Sequence, residues 1–125
     1  MNSGQVVKDV LKTIEEIYTE RRLGKIEVHW LTDKQLLELN IQHLNHNYLT
    51  DIITFDYSRG TRISGELFIS TQMVQNNAAE HGCSELTETQ RVVAHGILHL
   101  LGFGDKSPEE AEIMRIKENE VLSRI

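Results

Sequence analysis

The 125-residue chain has little cysteine, no long apolar run and an excess of acidic over basic residues. Cys83 is the only cysteine, which excludes an internal disulfide and a cysteine-rich zinc site. No apolar stretch approaches the roughly 20 residues that cross a bilayer. The polar N-terminal residues lack the apolar segment of a secretion signal. We therefore expect a cytoplasmic protein with no membrane partner.

The charge balance restricts the kind of partner. Acidic residues outnumber basic residues by 19 to 13, and the formal net charge is −6. This argues against a protein that coats nucleic acid through charge alone, but a local basic patch keeps a nucleic-acid substrate open. The length predicts one domain over residues 1–125 with a single core, and we find no repeat or low-complexity segment.

The most informative stretch is His95-Gly96-Ile97-Leu98-His99-Leu100-Leu101-Gly102-Phe103-Gly104-Asp105. Two histidines at positions i and i+4 share one helix face, with Cβ atoms about 5–6 Å apart, so both imidazoles can bind one metal ion. Gly102 can end the helix in a left-handed conformation, after which Asp105 can become a third ligand. Two imidazoles and one carboxylate leave a position for water, as in catalytic zinc sites.

Each member of this set has an alternative explanation. A histidine on an apolar helix is often a satisfied core residue, and Asp105 also fits an ordinary loop. Burial of two imidazoles would require a partner for each, which favours a metal site. The spacing matches that of zinc metalloproteases, which carry a glutamate as general base after the first histidine. Gly96 stands there instead, which disfavours peptide hydrolysis by that mechanism.

Hydrophobic periodicity predicts the order of the secondary structure elements. The predicted helices are residues 5–22, a helix from Thr32, residues 71–79, the motif helix from Thr87, and a helix from Ser107 to about Ser123. The predicted strands are residues 25–31, 50–57 and 62–70, the last two as a hairpin. Three capping boxes, at Thr32, Thr87 and Ser107, support these starts, and Gly24 is predicted to end the first helix. The motif helix is apolar nearly all round, so we expect it to be buried and central.

The motif resembles the His-Gly-x-Leu-His-Leu-x-Gly-Tyr signature of the YbeY family of bacterial metal-dependent endoribonucleases, which act in ribosomal RNA maturation. The stretch 50–55 is similar to that family's Thr-Asp-Val-Leu-Ser-Phe block, and 64–70 resembles its Gly-Asp-Ile strand. The spacing of Met114 and Glu118 also fits. The resemblance covers about residues 30–120. It implies an α+β fold with a small mixed sheet, the metal-binding helix packed on that sheet, and one Zn²⁺ per chain.

Two departures mark the chain as an atypical branch of the family it resembles. Asp105 stands where most members have a third histidine ligand. Leu44 and His46 stand where the family often has an arginine and a lysine that face the RNA. Lys106 and two arginines, Arg59 and Arg62, can replace that positive charge, although isolated basic residues are more often plain surface residues.

The resemblance implies a zinc-dependent, single-strand-directed endoribonuclease in small-subunit ribosomal RNA maturation and ribosome quality control. Its partners would be ribosomal RNA and the ribosome or ribosomal proteins. His95, His99 and Asp105 would hold the metal at the catalytic centre. Glu66, His46 and a metal-bound hydroxide are the candidates for general base. Two alternatives remain: a ribosome assembly factor whose zinc is mainly structural, and a metallohydrolase of another substrate.

Overall fold

The computed structural model describes residues 2–125, and within them the chain forms five helices and a three-stranded sheet. The elements are α1 (Ser3–Ile17), β1 (Arg22–Leu31), α2 (Asp33–Leu44), β2 (Ile52–Asp56), β3 (Arg62–Ser70), α3 (Thr71–His81), α4 (Glu85–Leu100) and α5 (Pro108–Arg124). The predicted α+β class is confirmed. In the described part of the chain, no helix combines the length and apolar character that a bilayer crossing needs.

The sheet is mixed, with strand order β1-β3-β2. The edge strand β2 runs antiparallel to β3 and pairs Ile52 with Ile69, which confirms the predicted hairpin. The other edge strand, β1, runs parallel to β3 and pairs Glu27 with Glu66. A parallel pair needs a long crossover connection, and here α2 and β2 provide it.

Side chains alternate between the two faces of the sheet, so each strand has a buried and an outer side. On β3 the buried side carries Ile63, Leu67 and Ile69, each 0% exposed, which pack into the hydrophobic core with helices α1 and α4. The outer side carries Glu66 and Phe68. On this outer face α2 covers part of the sheet, where the ring of its His43 meets Phe55 edge-on.

The central helix is α4, which contacts α1, α3, α5, β2 and β3, as the sequence predicted. It lies close to the sheet because Gly96 has no side chain there. A Cβ atom at Gly96 would lie 2.5 Å from Leu67 Cδ2 and 2.8 Å from Ile52 Cδ1, well inside van der Waals contact. Full burial of Ile97 and Leu98 on the same helix contributes roughly 1.5–3 kcal/mol per side chain.

Helix starts were predicted well where the cap is local in sequence. Thr32 and Ser107 each form the predicted capping box, with side chains that accept hydrogen bonds from the backbone N–H of Gln35 and Glu110. The predicted start of the motif helix at Thr87 was wrong. Helix α4 begins at Glu85, and Ser84 is its N-cap because the Ser84 side chain accepts from the Thr87 N–H.

The predicted first helix was too long at its C-terminal end. Helix α1 ends at Ile17, and Gly24 lies inside β1, which already begins at Arg22. The Arg22 N–H donates to the Thr61 carbonyl across 2.9 Å, and this starts the pairing of β1 with β3. The boundary between α1 and β1 is therefore determined by the pairing of β1 with β3. Gly24 does not determine it.

Candidate active site

Helix α4 presents both histidines of the motif toward one cavity. His95 is half-buried, with 24% of its side chain exposed, while His99 lies one turn later and is exposed. The cavity has a volume of about 280 Å³. It is lined by His95, His99, Asp105, Lys106, Leu44, His46, Tyr48, Thr50, Asp51, Ile52, Ile53 and Thr54. The three predicted metal ligands therefore share one cavity.

The ring of His95 is held between two carboxylates. Its Nδ1 donates a hydrogen bond to Glu118 Oε2 across 2.7 Å, and its Nε2 lies 3.2 Å from Asp105 Oδ2. Glu118 is 5% exposed, and its other oxygen accepts a hydrogen bond from Arg91 across 3.1 Å. A carboxylate that orients a histidine through Nδ1 and leaves Nε2 for a cation is the usual support of a metal-ligating histidine.

The ring of His99, like that of His95, makes a hydrogen bond through Nδ1. Its Nδ1 donates to the Phe103 carbonyl across 3.2 Å, so the tautomer that satisfies this bond leaves the lone pair on Nε2. The two Nδ1 partners are the buried carboxylate and a backbone carbonyl of the loop after α4. In both imidazoles, Nδ1 makes the supporting hydrogen bond, and Nε2 is the nitrogen that a metal ion would use.

Asp105 reaches the cavity through a short loop. After α4 ends at Leu100, Gly102 has φ of +110°, the positive value that the sequence predicted for a glycine at this helix end. The chain then turns, and Ser107 caps α5 two residues after Asp105. The turn and the cap together hold the carboxylate opposite His95.

The donor set fits a divalent metal ion such as zinc, because two imidazole nitrogens and one carboxylate oxygen are ligands that zinc uses in catalytic sites. The ligand atoms of His95, His99 and Asp105 do not all lie within 4.8 Å of one another. In residues 2–125 one group of three meets that distance, formed by Glu27, His29 and Glu66 on the sheet. Binding of one ion by all three residues would therefore require His99, Asp105 or both to move from the positions described.

The carboxylates shift the pKa of His95. Burial alone would lower it, but the hydrogen bond and negative charge of Glu118, together with Asp105 and Asp51, outweigh burial and raise the pKa above its usual range. For Glu118, burial favours a raised pKa, but His95 and then Arg91 outweigh it and lower the pKa. The site therefore attracts positive charge to His95 Nε2, where a proton and a metal ion compete.

Asp51 is a cavity residue that sequence reasoning did not single out. It lines the cavity with His95, and burial raises the pKa of its carboxyl. The sequence signal was present, since Asp51 follows Thr50 in the block that resembles the family, but its burial depends on packing between β2 and α4. Glu118 and Arg91 were also missed as a pair, because their contact with His95 joins two helices.

The two side-chain candidates for general base lie in different places. His46 lines the cavity, where its ring stacks on Tyr48 at 5.2 Å and its Nδ1 lies 3.1 Å from the Tyr48 hydroxyl. Glu66 lies on the outer face of the sheet, where Tyr57 and His29 hold its carboxylate. The structure therefore does not bring Glu66 to the cavity of His95. The reason is strand alternation: Leu67 faces α4, so Glu66 faces away.

These features define a class of protein: a small α+β fold whose buried central helix presents two histidines to a surface cavity. Comparison with known proteins identifies the family. A family model described as Endoribonuclease YbeY matches residues 2–125. An Endoribonuclease YbeY of Bacteroides thetaiotaomicron is 50% identical over 103 residues, which cover 82% of this chain and 75% of that protein. The chain therefore belongs to the YbeY endoribonuclease family.

Further relatives agree with this assignment. An Endoribonuclease YbeY of Bacteroides fragilis is 45% identical over 113 residues, which cover 90% of this chain and 81% of that protein. The solution structure of a Thermotoga maritima protein matches with a TM-score of 0.65 and 28% identity. That match covers 97% of this chain and 84% of the other. The structural match therefore shows that this chain and the Thermotoga maritima protein share a fold.

Proposed function

We propose that this chain is an endoribonuclease that hydrolyses phosphodiester bonds of single-stranded RNA with one zinc ion held by His95, His99 and Asp105. The observation that carries the proposal is the position of His95, whose Nδ1 donates to the buried Glu118 while its Nε2 faces Asp105. The relatives at 50% and 45% identity are named endoribonucleases, and this supports the reaction class.

When bound, the metal would supply a Lewis acid that polarises the phosphodiester and favours ionisation of a water or hydroxyl nucleophile. The chain supplies the orientation. Glu118 holds the Nδ1–H of His95, and the Phe103 carbonyl holds that of His99. Asp51 and His46 are the cavity groups that can exchange a proton during the reaction.

The side chains at the cavity support the proposed preference for a single strand. Tyr48 is 56% exposed and stacks on His46, so the pair offers an aromatic surface to an unstacked base. Stacking of a base on an aromatic side chain contributes about 1–3 kcal/mol and needs no particular sequence. Lys106 lines the same cavity and can contact a phosphate. The net charge of −6 means that RNA binding relies on such local contacts.

The substrate in the cell would be ribosomal RNA of the small subunit, in maturation and in ribosome quality control. Membership in the YbeY family supports this assignment. A ribosomal substrate would also suit an acidic protein, because docking on ribosomal proteins or on folded RNA would supply contacts that its own charge does not. The enzyme would then work in the cytoplasm with the ribosome as its partner.

The test is cleavage of a single-stranded RNA by the purified chain, with and without a chelator, compared with a duplex of the same sequence. We expect cleavage of the single strand that is lost with chelator, restored by Zn²⁺, and abolished in His95→Ala and His99→Ala. His43→Ala is the matched control, because His43 is an exposed histidine outside the cavity. Cleavage that persists in both histidine variants would mean a contaminating nuclease and would refute the proposal.

A second measurement separates the enzyme from an assembly factor with structural zinc. Elemental analysis should give about one zinc per chain in the wild type and a loss in Asp105→Ala, because removal of one of three ligands weakens binding strongly. If the metal is present, the thermal stability falls in His99→Ala, and the wild type turns over no RNA at any metal concentration, the assembly-factor alternative replaces the proposal.

A further inference from the structure

The outer face of the sheet carries a second set of metal-ligand side chains. Glu27 and His29 lie two residues apart on β1, so their side chains point to the same face. Glu66 on β3 is the register partner of Glu27 in the parallel pair. One ligand atom from each of the three residues lies within 4.8 Å of the others. The cluster therefore arises from strand pairing between segments about forty residues apart in sequence.

Two of the distances in this cluster are compatible with ligands of one ion. His29 Nε2 lies 2.9 Å from Glu66 Oε2 and 3.6 Å from Glu27 Oε2. Two ligand atoms that are each about 2.05 Å from a metal ion are about 2.9 Å apart at a 90° angle and about 3.6 Å apart at 120°. These two spacings therefore match two ligand pairs of one ion, and the three ligand atoms all lie within 4.8 Å of one another.

Each of the three ligand groups is held from behind by another residue. The Tyr57 hydroxyl donates to Glu66 Oε1 across 2.9 Å, which leaves Oε2 toward His29. Lys25 Nζ lies 3.0 Å from Glu27 Oε1, which leaves Oε2 for the cluster. The His29 ring stacks on Phe68 with centroids 4.6 Å apart and planes 20° apart. Such outer contacts limit the side-chain freedom that a metal ion would otherwise have to restrict.

The charge of the cluster also favours a cation. In the described structure Glu66 Oε2 accepts a hydrogen bond from His29 Nε2, so a hydrogen atom occupies the space between ring and carboxylate. An ion that takes its place leaves the neutral ring with its hydrogen on Nδ1. The cluster contains two carboxylates, and in the described part of the chain Lys25 is the one ammonium group that contacts them. The net negative charge that remains favours binding of a cation.

We propose that Glu27, His29 and Glu66 form a second cation site, which binds one divalent transition-metal ion on the sheet face opposite α4. One imidazole and two carboxylates are suitable ligands for zinc, cobalt or manganese. The site should bind cobalt more tightly than manganese. The side chains of Glu66 and His29 are 30% and 35% exposed, so the remaining coordination positions face solvent. This site shares no ligand with the His95 cavity, and it does not depend on the proposed ribonuclease activity.

The test is a titration of the full chain with Co²⁺, followed by the backbone amide signals in nuclear magnetic resonance. Cobalt is paramagnetic and a zinc surrogate, so it reports where it binds. We expect the amides around residues 27–29 and 66–68 to shift or broaden with saturable binding. In His29→Gln and in Glu66→Gln, the apparent affinity at these amides should fall about tenfold or more. The melting temperature should also rise with Co²⁺ more in the wild type than in either variant.

Control variants separate this site from the cavity of His95. His43→Gln and Glu38→Gln remove an exposed histidine and an exposed carboxylate of α2 and should leave the effect on the strand amides unchanged. His99→Ala should weaken cobalt effects at α4 and leave those at β1 and β3 intact. The proposal is wrong if Co²⁺ leaves the strand amides of the wild type unaffected, or if their response persists unchanged in both His29→Gln and Glu66→Gln.

Discussion

Glu118 on α5 accepts a hydrogen bond from Nδ1 of His95 on α4 across 2.7 Å, and this contact joins the last helix to the candidate metal centre. The carboxylate is buried, and Arg91 holds its second oxygen. The orientation of the His95 ring therefore depends on how two helices pack. A change in α5 far from the cavity in sequence should alter metal binding.

Glu118→Gln should weaken zinc binding by about 10–100-fold, the usual effect of losing a carboxylate that orients a ligating histidine. The neutral glutamine amide is a weaker acceptor for the Nδ1–H of His95 than the carboxylate of Glu118. The Nε2 lone pair of His95 therefore becomes less basic. A zinc titration against a competing chelator measures the change. Glu112→Gln, an exposed carboxylate on the same helix, is the control and should bind as the wild type does. Equal affinity in both variants would remove Glu118 from the metal centre.

The pair of His95 and Glu118 should make the stability of the metal-free protein depend on pH. The raised pKa of His95 means that its contribution is complete below the ordinary imidazole value of 6.5 and is lost as the pH rises through the raised value. The lowered pKa of Glu118 means that its contribution is complete above 4.5 and is lost as the pH falls through the lowered value. The pair therefore stabilises the fold most between pH 4.5 and 6.5.

Urea denaturation of chelator-treated wild type and Glu118→Gln from pH 3 to 9 measures this contribution. The difference in unfolding free energy should be largest inside the window and should decrease on both sides of it. A remainder should persist at high pH, because Arg91 stays charged and still pairs with Glu118 in the wild type. A difference that grows toward pH 9 would contradict the assigned direction of the His95 shift.

Gly102→Ala should move Asp105 away from His95. The φ of +110° at Gly102 is strained for a residue with a Cβ atom, at a cost of about 1 kcal/mol or more. Within residues 2–125, no atom beyond the two chain neighbours lies within 4 Å of that Cβ, so the effect comes from the backbone alone. Gly60→Ala is a matched control, since Gly60 has φ of +57° and equally open surroundings. Both variants should lose stability, but only Gly102→Ala should also lose zinc affinity in the competition titration.

Gly96→Ala should lower the unfolding free energy by about 1–3 kcal/mol, because the added methyl group overpacks the contact between α4 and the sheet. Its nearest neighbours, Leu67 and Ile52, are held in the core and cannot retreat without loss of packing. Gly4→Ala in α1 adds the same methyl group 3.4 Å from its nearest neighbour and should leave the stability unchanged or slightly raised. Similar losses in the two variants, measured by urea denaturation, would refute the close contact at Gly96.

The sequence predicted those parts of the site that are local in the chain. The spacing of His95 and His99, the glycine at the helix end and the cap at Ser107 each depend on a few neighbouring residues. They placed the histidines on one helix and Asp105 in the loop before α5. The supporting carboxylate escaped prediction, because Glu118 meets His95 only through the packing of α4 on α5.

The same distinction explains the differences in the fold. The end of α1 was overestimated because apolar periodicity continues through Tyr18, whereas pairing of β1 with β3 begins already at Arg22. Glu66 was predicted as a candidate for general base but lies on the face away from the cavity, because the sequence of β3 does not reveal which side of the strand α4 covers. Both cases depend on contacts between segments far apart in sequence, which local patterns do not contain.

The absence of a side chain at Gly96 has a consequence for how this lineage can change. Metalloproteases with the same ligand spacing carry their general base at this position. Here a glutamate would have to displace the core side chains of Leu67 and Ile52, since even one added carbon atom would lie 2.5 Å from Leu67 Cδ2. A single mutation toward that chemistry would damage the fold before it could provide a new reaction. Packing between α4 and the sheet therefore opposes the protease general base at position 96, whichever ligands hold the metal.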